Sequence, residues 1–200
     1  MTKSQADVVR TALEILDEHG VDAVSLRAIA GRLGVRMNTV LWHAKSKARL
    51  EELMADAIVA GVSLDRLPED WRERATEVAR RYRRALLAHR DGAVVVTGTY
   101  AAEPATLDVT EALVAALLDG GLPSREAAWT CWGIIYFTLG LCQEEQAFPN
   151  RSVQDLDVGE RPALQRVVAA MADDAFDERF EFGVARLLGA AATRRSHRPT

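Results

Sequence analysis

The chain of 200 residues has only two cysteines, Cys131 and Cys142, and neither has a cysteine or histidine nearby at zinc-ligand spacing. Eleven residues apart on one helix, they would be separated by about 16 Å of rise, too far for an intrachain disulfide. Both read as small buried hydrophobes, and no metal or cofactor is expected. Long apolar runs are missing too. The most apolar stretch, near Trp129–Cys142, is broken by Gly and Thr and is shorter than a bilayer span, so no membrane contact is expected. Met1 is followed by Thr-Lys-Ser-Gln-Ala-Asp, which is not a signal peptide. A cytoplasmic protein is the expectation, and the Asn150-Arg-Ser sequon is then a coincidence.

Strand-like alternation is absent as well. Every long segment repeats its apolar residues with helical period, so the fold class is all-α. Ser4 is placed to cap a helix whose stripe is Val8, Val9, Ala12, Leu13 and Leu16, ending at His19-Gly20. Ser25 caps a short second helix closed by Gly34, a third covers about 37–43, and Ser46 caps a fourth. Further helices are expected at about 68–89, 92–98, 104–119, 123–146, 161–172 and 174–192. Residues 147–161, polar with Pro and Gly, read as the one long irregular stretch. The expected division is a helix-turn-helix unit over 1–46, a connecting helix over 47–64, a larger helical domain over 65–192 and a disordered tail over 193–200.

Charge divides along the same line. Residues 1–50 carry eight Lys/Arg against five acids, a net +3, so the rest of the chain holds −7 of the overall −4. A basic end on an acidic body points to a polyanion met only by the N-terminal part. Between Ser25 and His43, Ile29, Leu33, Val35 and Val40 are spaced to pack two short helices at a steep angle. Ala30 is small where they approach, and Gly34 suits the positive φ of a tight turn. In such a helix-turn-helix the second helix enters the major groove of double-stranded DNA. Its open face is expected to carry Arg36, Met37, Asn38, Thr39 and Leu41. Arg36 suits guanine, Asn38 adenine, and Met37 or Leu41 a thymine methyl. Thr39, His43 and Lys47 suit phosphates, and Arg27 suits either role. Trp42 is expected to pack its ring down at the helix end.

The run ALEILDEHGVDAVSLRAIAGRLGVRMNTVLWHAKSKARLEEL resembles the tetracycline-repressor (TetR) family of bacterial transcriptional regulators almost position by position. The stretches RRALLAHRDGA (83–93) and FTLGLCQEEQ (137–146) are similar to the tetracycline-binding members of that family. The resemblance implies a homodimer on a palindromic DNA operator, with two late helices of each subunit forming a four-helix bundle. It also implies that Trp42, His43 and Lys47 lie against the DNA backbone. Leu41 departs from the family, which usually has tyrosine there.

The drug site of those members carries over poorly. Their metal-binding histidine aligns with Val96, an arginine–proline pair with Tyr100 and Ala101, a glutamine with Leu113, and a second histidine with Tyr136. Thr99, Glu144 and an aromatic at Tyr82 persist. Valine cannot ligate a hard cation, so magnesium–tetracycline is not the expected effector. A small, mainly apolar molecule is expected instead, with Val78, Tyr82, Val96, Thr99, Tyr100, Leu113, Trp129, Trp132, Ile135 and Tyr136 as candidate contacts. Trp129, Trp132 and Tyr136 share one helical face, equally suited to core or dimer seam. Two other readings compete. Catalysis finds no support in the scattered His19, His43, His89 and His197. A regulator answering to a protein partner would show a closed core where the ligand reading requires a cavity.

Overall fold

The computed structural model describes residues 3–99, 102–147, 158–171 and 175–193, with the side chains of the last segment through Gly189. Tyr100, the Asn150 sequon and the tail 194–200 lie outside the described residues. Those described are helical, with no strand among them.

The N-terminal unit forms where its caps predict. In α1 (Gln5–His19), Ser4 accepts the Asp7 N–H while the Asp7 carboxylate accepts the Ser4 N–H, a reciprocal capping box. A 3-10 turn, Val21–Ala23, leads to α2 (Leu26–Leu33), where Ser25 accepts the Ala28 N–H. Gly34 adopts φ 65°, the left-handed conformation that lets the chain reverse into α3 (Met37–Ala44). Val8, Ala12, Leu16, Ile29, Val40 and Ala44 are all buried and form the small core beneath the turn. Ser46 caps α4 (Lys47–Val59), which buries Leu50, Met54 and Ile58 and leads out of this unit.

The larger unit is organised on α5 (Trp71–Leu87). The chain enters it at Asp70, whose carboxylate accepts the Arg72 and Glu73 N–H groups, so it starts three residues later than expected. Ala75, Val78, Ala79, Tyr82, Ala85 and Leu86 recur at helical spacing and make the buried face apolar except at Arg83. That face packs against α6 (Gly92–Val96), α7 (Pro104–Asp119), α8 (Ser124–Ala147) and α11 (Phe176–Thr193). The small residues of the stripe permit this many neighbours. Arg83 lies buried among them, donating to Glu145 of α8 and Asp177 of α11. Its charge is thereby paired, as burial demands. Cys131 and Cys142 are buried and free.

The expected helix 161–172 is instead two single turns, α9 (Pro162–Gln165) and α10 (Val168–Met171). Val167 and Met171 remain exposed, so no buried face supports continuous helix, and the junction tightens to a Val167 N–H to Leu164 carbonyl bond. The helix expected over 92–98 stops at Val96, followed by Gly98 at φ 83°.

A polar joint ties the end of α1 to the larger unit. The Asp17 carboxylate at the end of α1 accepts the Arg90 N–H at 3.1 Å and lies 3.1 Å from His89 Nδ1. From the other side, the Asp91 carboxylate accepts the Val21 N–H at 2.9 Å. The His89-Arg90-Asp91 turn therefore fastens the larger unit to the helix-turn-helix directly ahead of α6.

Candidate nucleic-acid interface and effector cavity

On α3 the buried Val40 and Ala44 fix which side faces inward, and the opposite side faces out. Arg36, Met37 and Asn38 are exposed at its N-terminus. Thr39 and Leu41, expected on the open face, are only half exposed, because each flanks Val40 and turns partly toward the core. Trp42 corrects the expectation more strongly: its ring is 72% exposed instead of packed down. Position 42 lies midway between the two buried residues and so projects away from them. The Lys45 ammonium covers the ring at 4.7 Å from its centroid. Lys45 was not among the expected contacts. It ends α3 at φ 64°, a conformation rare for lysine that no sequence pattern announces.

His43 is half-buried and its carbonyl accepts from the Gln5 amide of α1 at 3.0 Å, which ties the helix end down. Many of the unit's cations are already paired. Arg10 bonds Asp7 and Glu14, Arg32 bonds Glu18, Arg49 bonds Glu52 and Glu103, and Lys47 lies 3.5 Å from Glu51. Arg27, Arg36 and Lys45, and Lys3 ahead of α1, make no ion pair with any described residue. Three of these four unpaired cations lie around α2 and α3, a sharper picture than the net +3.

In the larger unit, a cavity of about 520 Å³ opens between α5, α6, α7 and α8. Eight of the ten candidate contacts border it: Val78, Tyr82, Val96, Thr99, Leu113, Trp132, Ile135 and Tyr136. Tyr100 lies outside the described residues. Trp129 does not reach the cavity. It stands one turn nearer the start of α8 than Trp132, about 4.5 Å along the axis. There it is 57% exposed under the Arg125 guanidinium. Trp132 and Tyr136 stack at 5.3 Å between centroids and 23° between planes, forming one wall that also faces outward.

Sequence reasoning missed the α7 side of the cavity, formed by Thr106, Val109 and Thr110 with Leu113. Their spacing of three, one and three was the available signal, since it sets all four on one helical face. Thr97 and Gly98 were missed too, because the expected helix ran through them.

A helix-turn-helix with an exposed second helix, joined to a helical domain with an apolar cavity, is the architecture of a transcriptional regulator with a DNA-binding and a ligand-binding domain. Residues 8–53 match bacterial regulatory proteins of the tetR family, and residues 65–193 match the tetracyclin repressor-like C-terminal domain. The chain belongs to the TetR family of regulators, with a DNA-binding and a ligand-binding domain. It is 35% identical to the class A tetracycline repressor protein from transposon 1721 of Escherichia coli, over 98% of this chain and 94% of that one. Among solved structures it is similar to the TetR family protein ActR of Streptomyces coelicolor in complex with (S)-DNPA. The TM-score is 0.86 at 25% identity, covering 97% of this chain and 99% of that one. BioQ bound to its natural double-stranded DNA operator is also similar, with a TM-score of 0.67 at 30% identity, covering 85% of this chain and 98% of that one. No helix among the described residues is long and apolar enough to cross a membrane.

Proposed function

We propose that the chain is a homodimeric repressor that leaves a palindromic operator when a small, mainly apolar molecule fills the cavity. The observation that carries this reading is the shared position of residues 92–99. Val96 and Thr99 wall the cavity, while Val94 and Val95 face Leu50 and Met54 of α4, the helix that leads from the DNA-binding unit. A cavity of this size also favours a small ligand over control by a protein partner, which would suit a closed core.

At the operator, Arg36 and Asn38 read base edges and Met37 meets a thymine methyl. Arg27, Thr39, His43 and Lys47 meet the backbone, Leu41 and Trp42 the groove wall. Two recognition helices must reach successive major grooves, about 34–36 Å apart. A second copy would cover the exposed aromatics of α8 (Trp129, Trp132, Tyr136) and Phe182 of α11. An exposed apolar patch of this kind marks an interaction surface.

The reading is tested by footprinting the purified protein on the intergenic DNA beside its gene, with and without a panel of apolar compounds. Protection of a palindrome, relieved by at least one compound, is expected. Failure to bind any palindrome there at moderate salt would end it. Arg36→Ala or Asn38→Ala should cost about 1–3 kcal/mol of operator affinity and relax base preference.

A further inference from the structure

The polar pattern of the cavity narrows what can occupy it, given the ligand-binding role proposed above. Among the described residues, its lining contains no Asp, Glu, Lys, Arg or His. A charged molecule would enter without a counter-charge, which an apolar environment strongly disfavours. A hard cation would find no carboxylate to hold it there.

Four threonines reach the wall, yet each hydroxyl hydrogen is already donated to the protein. Thr97 donates to the Ala93 carbonyl and Thr99 to the Val96 carbonyl, both at 2.7 Å. Thr106 donates to the Asp56 carboxylate at 3.0 Å, and Thr110 to the Thr106 carbonyl at 2.7 Å. Their oxygens can still accept, but they cannot donate.

Tyr82 is different. It is 7% exposed and borders the cavity, and no described residue hydrogen-bonds its hydroxyl. Burial pushes its pKa up, so it remains a neutral O–H donor. Buried tyrosine hydroxyls ordinarily have partners, and the cavity that Tyr82 borders offers room for one. Beside it, the stacked Trp132–Tyr136 pair presents an aromatic wall against which a flat ring system can lie.

We infer that Tyr82 is the specificity-determining hydrogen-bond donor of the cavity. Its ligand is an uncharged molecule with a flat apolar body and a carbonyl or ether oxygen that accepts from the Tyr82 hydroxyl. Further hydroxyls on that molecule would be read by the threonine oxygens.

Fluorenone, fluorene and fluorenone carboxylate share one flat body and differ in acceptor and charge. Their binding to the full chain is measured without DNA, by calorimetry and tryptophan quenching. Wild type should prefer fluorenone to fluorene by about tenfold, the worth of one net hydrogen bond. Tyr82→Phe should erase that preference while binding fluorene as wild type does, which reports an intact cavity. The carboxylate should bind at least about a hundredfold more weakly than fluorenone. A preference that survives in Tyr82→Phe, or a carboxylate that binds as tightly as the ketone, overturns the assignment. If neither neutral probe binds wild type, the cavity is not a ligand site and both readings fall. If fluorenone binds in this pattern but no compound frees the operator, only release is refuted.

Discussion

Replacing Gly183 with alanine tests the packing of α8 on α11 with a single methyl group. A Cβ built there would lie 2.5 Å from Cε1 and 2.8 Å from Cε2 of Phe137, and closer still to Cζ. Carbon atoms settle at about 3.5–4.0 Å, so the ring or the helix must withdraw by about 1 Å or more. Phe137 has little freedom to do so, because it stacks on the buried Phe180 at 6.3 Å. Overpacking of this kind costs about 1–3 kcal/mol. So close a contact belongs in the upper part of that range, about 2–3 kcal/mol. Helix propensity favours alanine by about 1 kcal/mol, so the expected net effect is destabilisation of about 1–2 kcal/mol. Urea unfolding followed by circular dichroism reads it as a lower midpoint with unchanged slope. Gly31 in α2 has nothing within 4 Å of its Cβ position, so Gly31→Ala should shift the midpoint upward. In a Phe137→Leu background, which lacks the clashing ring atoms, Gly183→Ala should lose most of its penalty, a coupling of about 1 kcal/mol. A Gly183→Ala midpoint at or above that of the parent would refute the close contact.

Four further outcomes follow from particular contacts. Asp17→Asn removes the charge facing His89 and Arg90 but leaves much of the bonding geometry. At an exposed joint it should cost under about 1 kcal/mol of stability, yet shift the effector concentration for half-release in a DNA-binding assay. Lys47→Ala should reduce the salt slope of operator binding by about 1 without altering base preference, read by anisotropy at several salt concentrations. Burial pushes the thiols of Cys131 and Cys142 up to about 11 and about 12. The nucleophile is the thiolate, so at pH 8 iodoacetamide should leave both unmodified in native protein and label both in denaturant, as mass spectrometry would show. Trp129→Glu should split the proposed dimer in sedimentation while leaving the monomer folded.

Local chemistry made much of the fold legible. Ser4, Ser25 and Ser46 each accept the backbone N–H three residues on, because a cap depends on a residue and its immediate neighbours. The expectation that Trp42 packs down failed because helical phase, not hydrophobicity, decides which side chains turn inward. Trp129, expected as a ligand contact, instead sits one turn too near the start of α8 to reach the cavity. Position 42 is out of phase with Val40 and Ala44, and a lysine covers its ring instead of the core. The reverse error hid Thr106 and Thr110. They are polar in composition, yet share a helical face with Val109 and Leu113 and line an apolar cavity. The helix 161–172 was unreadable for a third reason, since its continuity depended on a tertiary partner that the described packing does not supply.

On the proposed reading, residues 92–99 are where ligand energy would become DNA release, and the bonds that hold them show how. From α8, the Gln146 amide donates to the Leu86 and His89 carbonyls and its oxygen accepts the Ala93 N–H, pinning the start of α6. Gln143 donates to the Thr97 hydroxyl, pinning its end. The same α8 carries Trp132, Ile135 and Tyr136 along the cavity. A ligand that presses on α8 or on Val96 therefore moves against a segment held at both ends, whose far side bears on α4. Asp17 and Asp91 hold the turn just before it to α1 and Val21. A rigid segment between two fixed contacts transmits displacement, whereas a loose one absorbs it. The ligand can shift the operator-bound state only by its difference in affinity between the two arrangements. Gln143→Ala and Gln146→Ala should accordingly leave ligand affinity nearly intact and weaken its coupling to DNA. Measuring ligand affinity with and without operator gives that coupling directly, because linkage makes it equal from either side. Equal coupling in both variants and wild type would show that the force travels by another route.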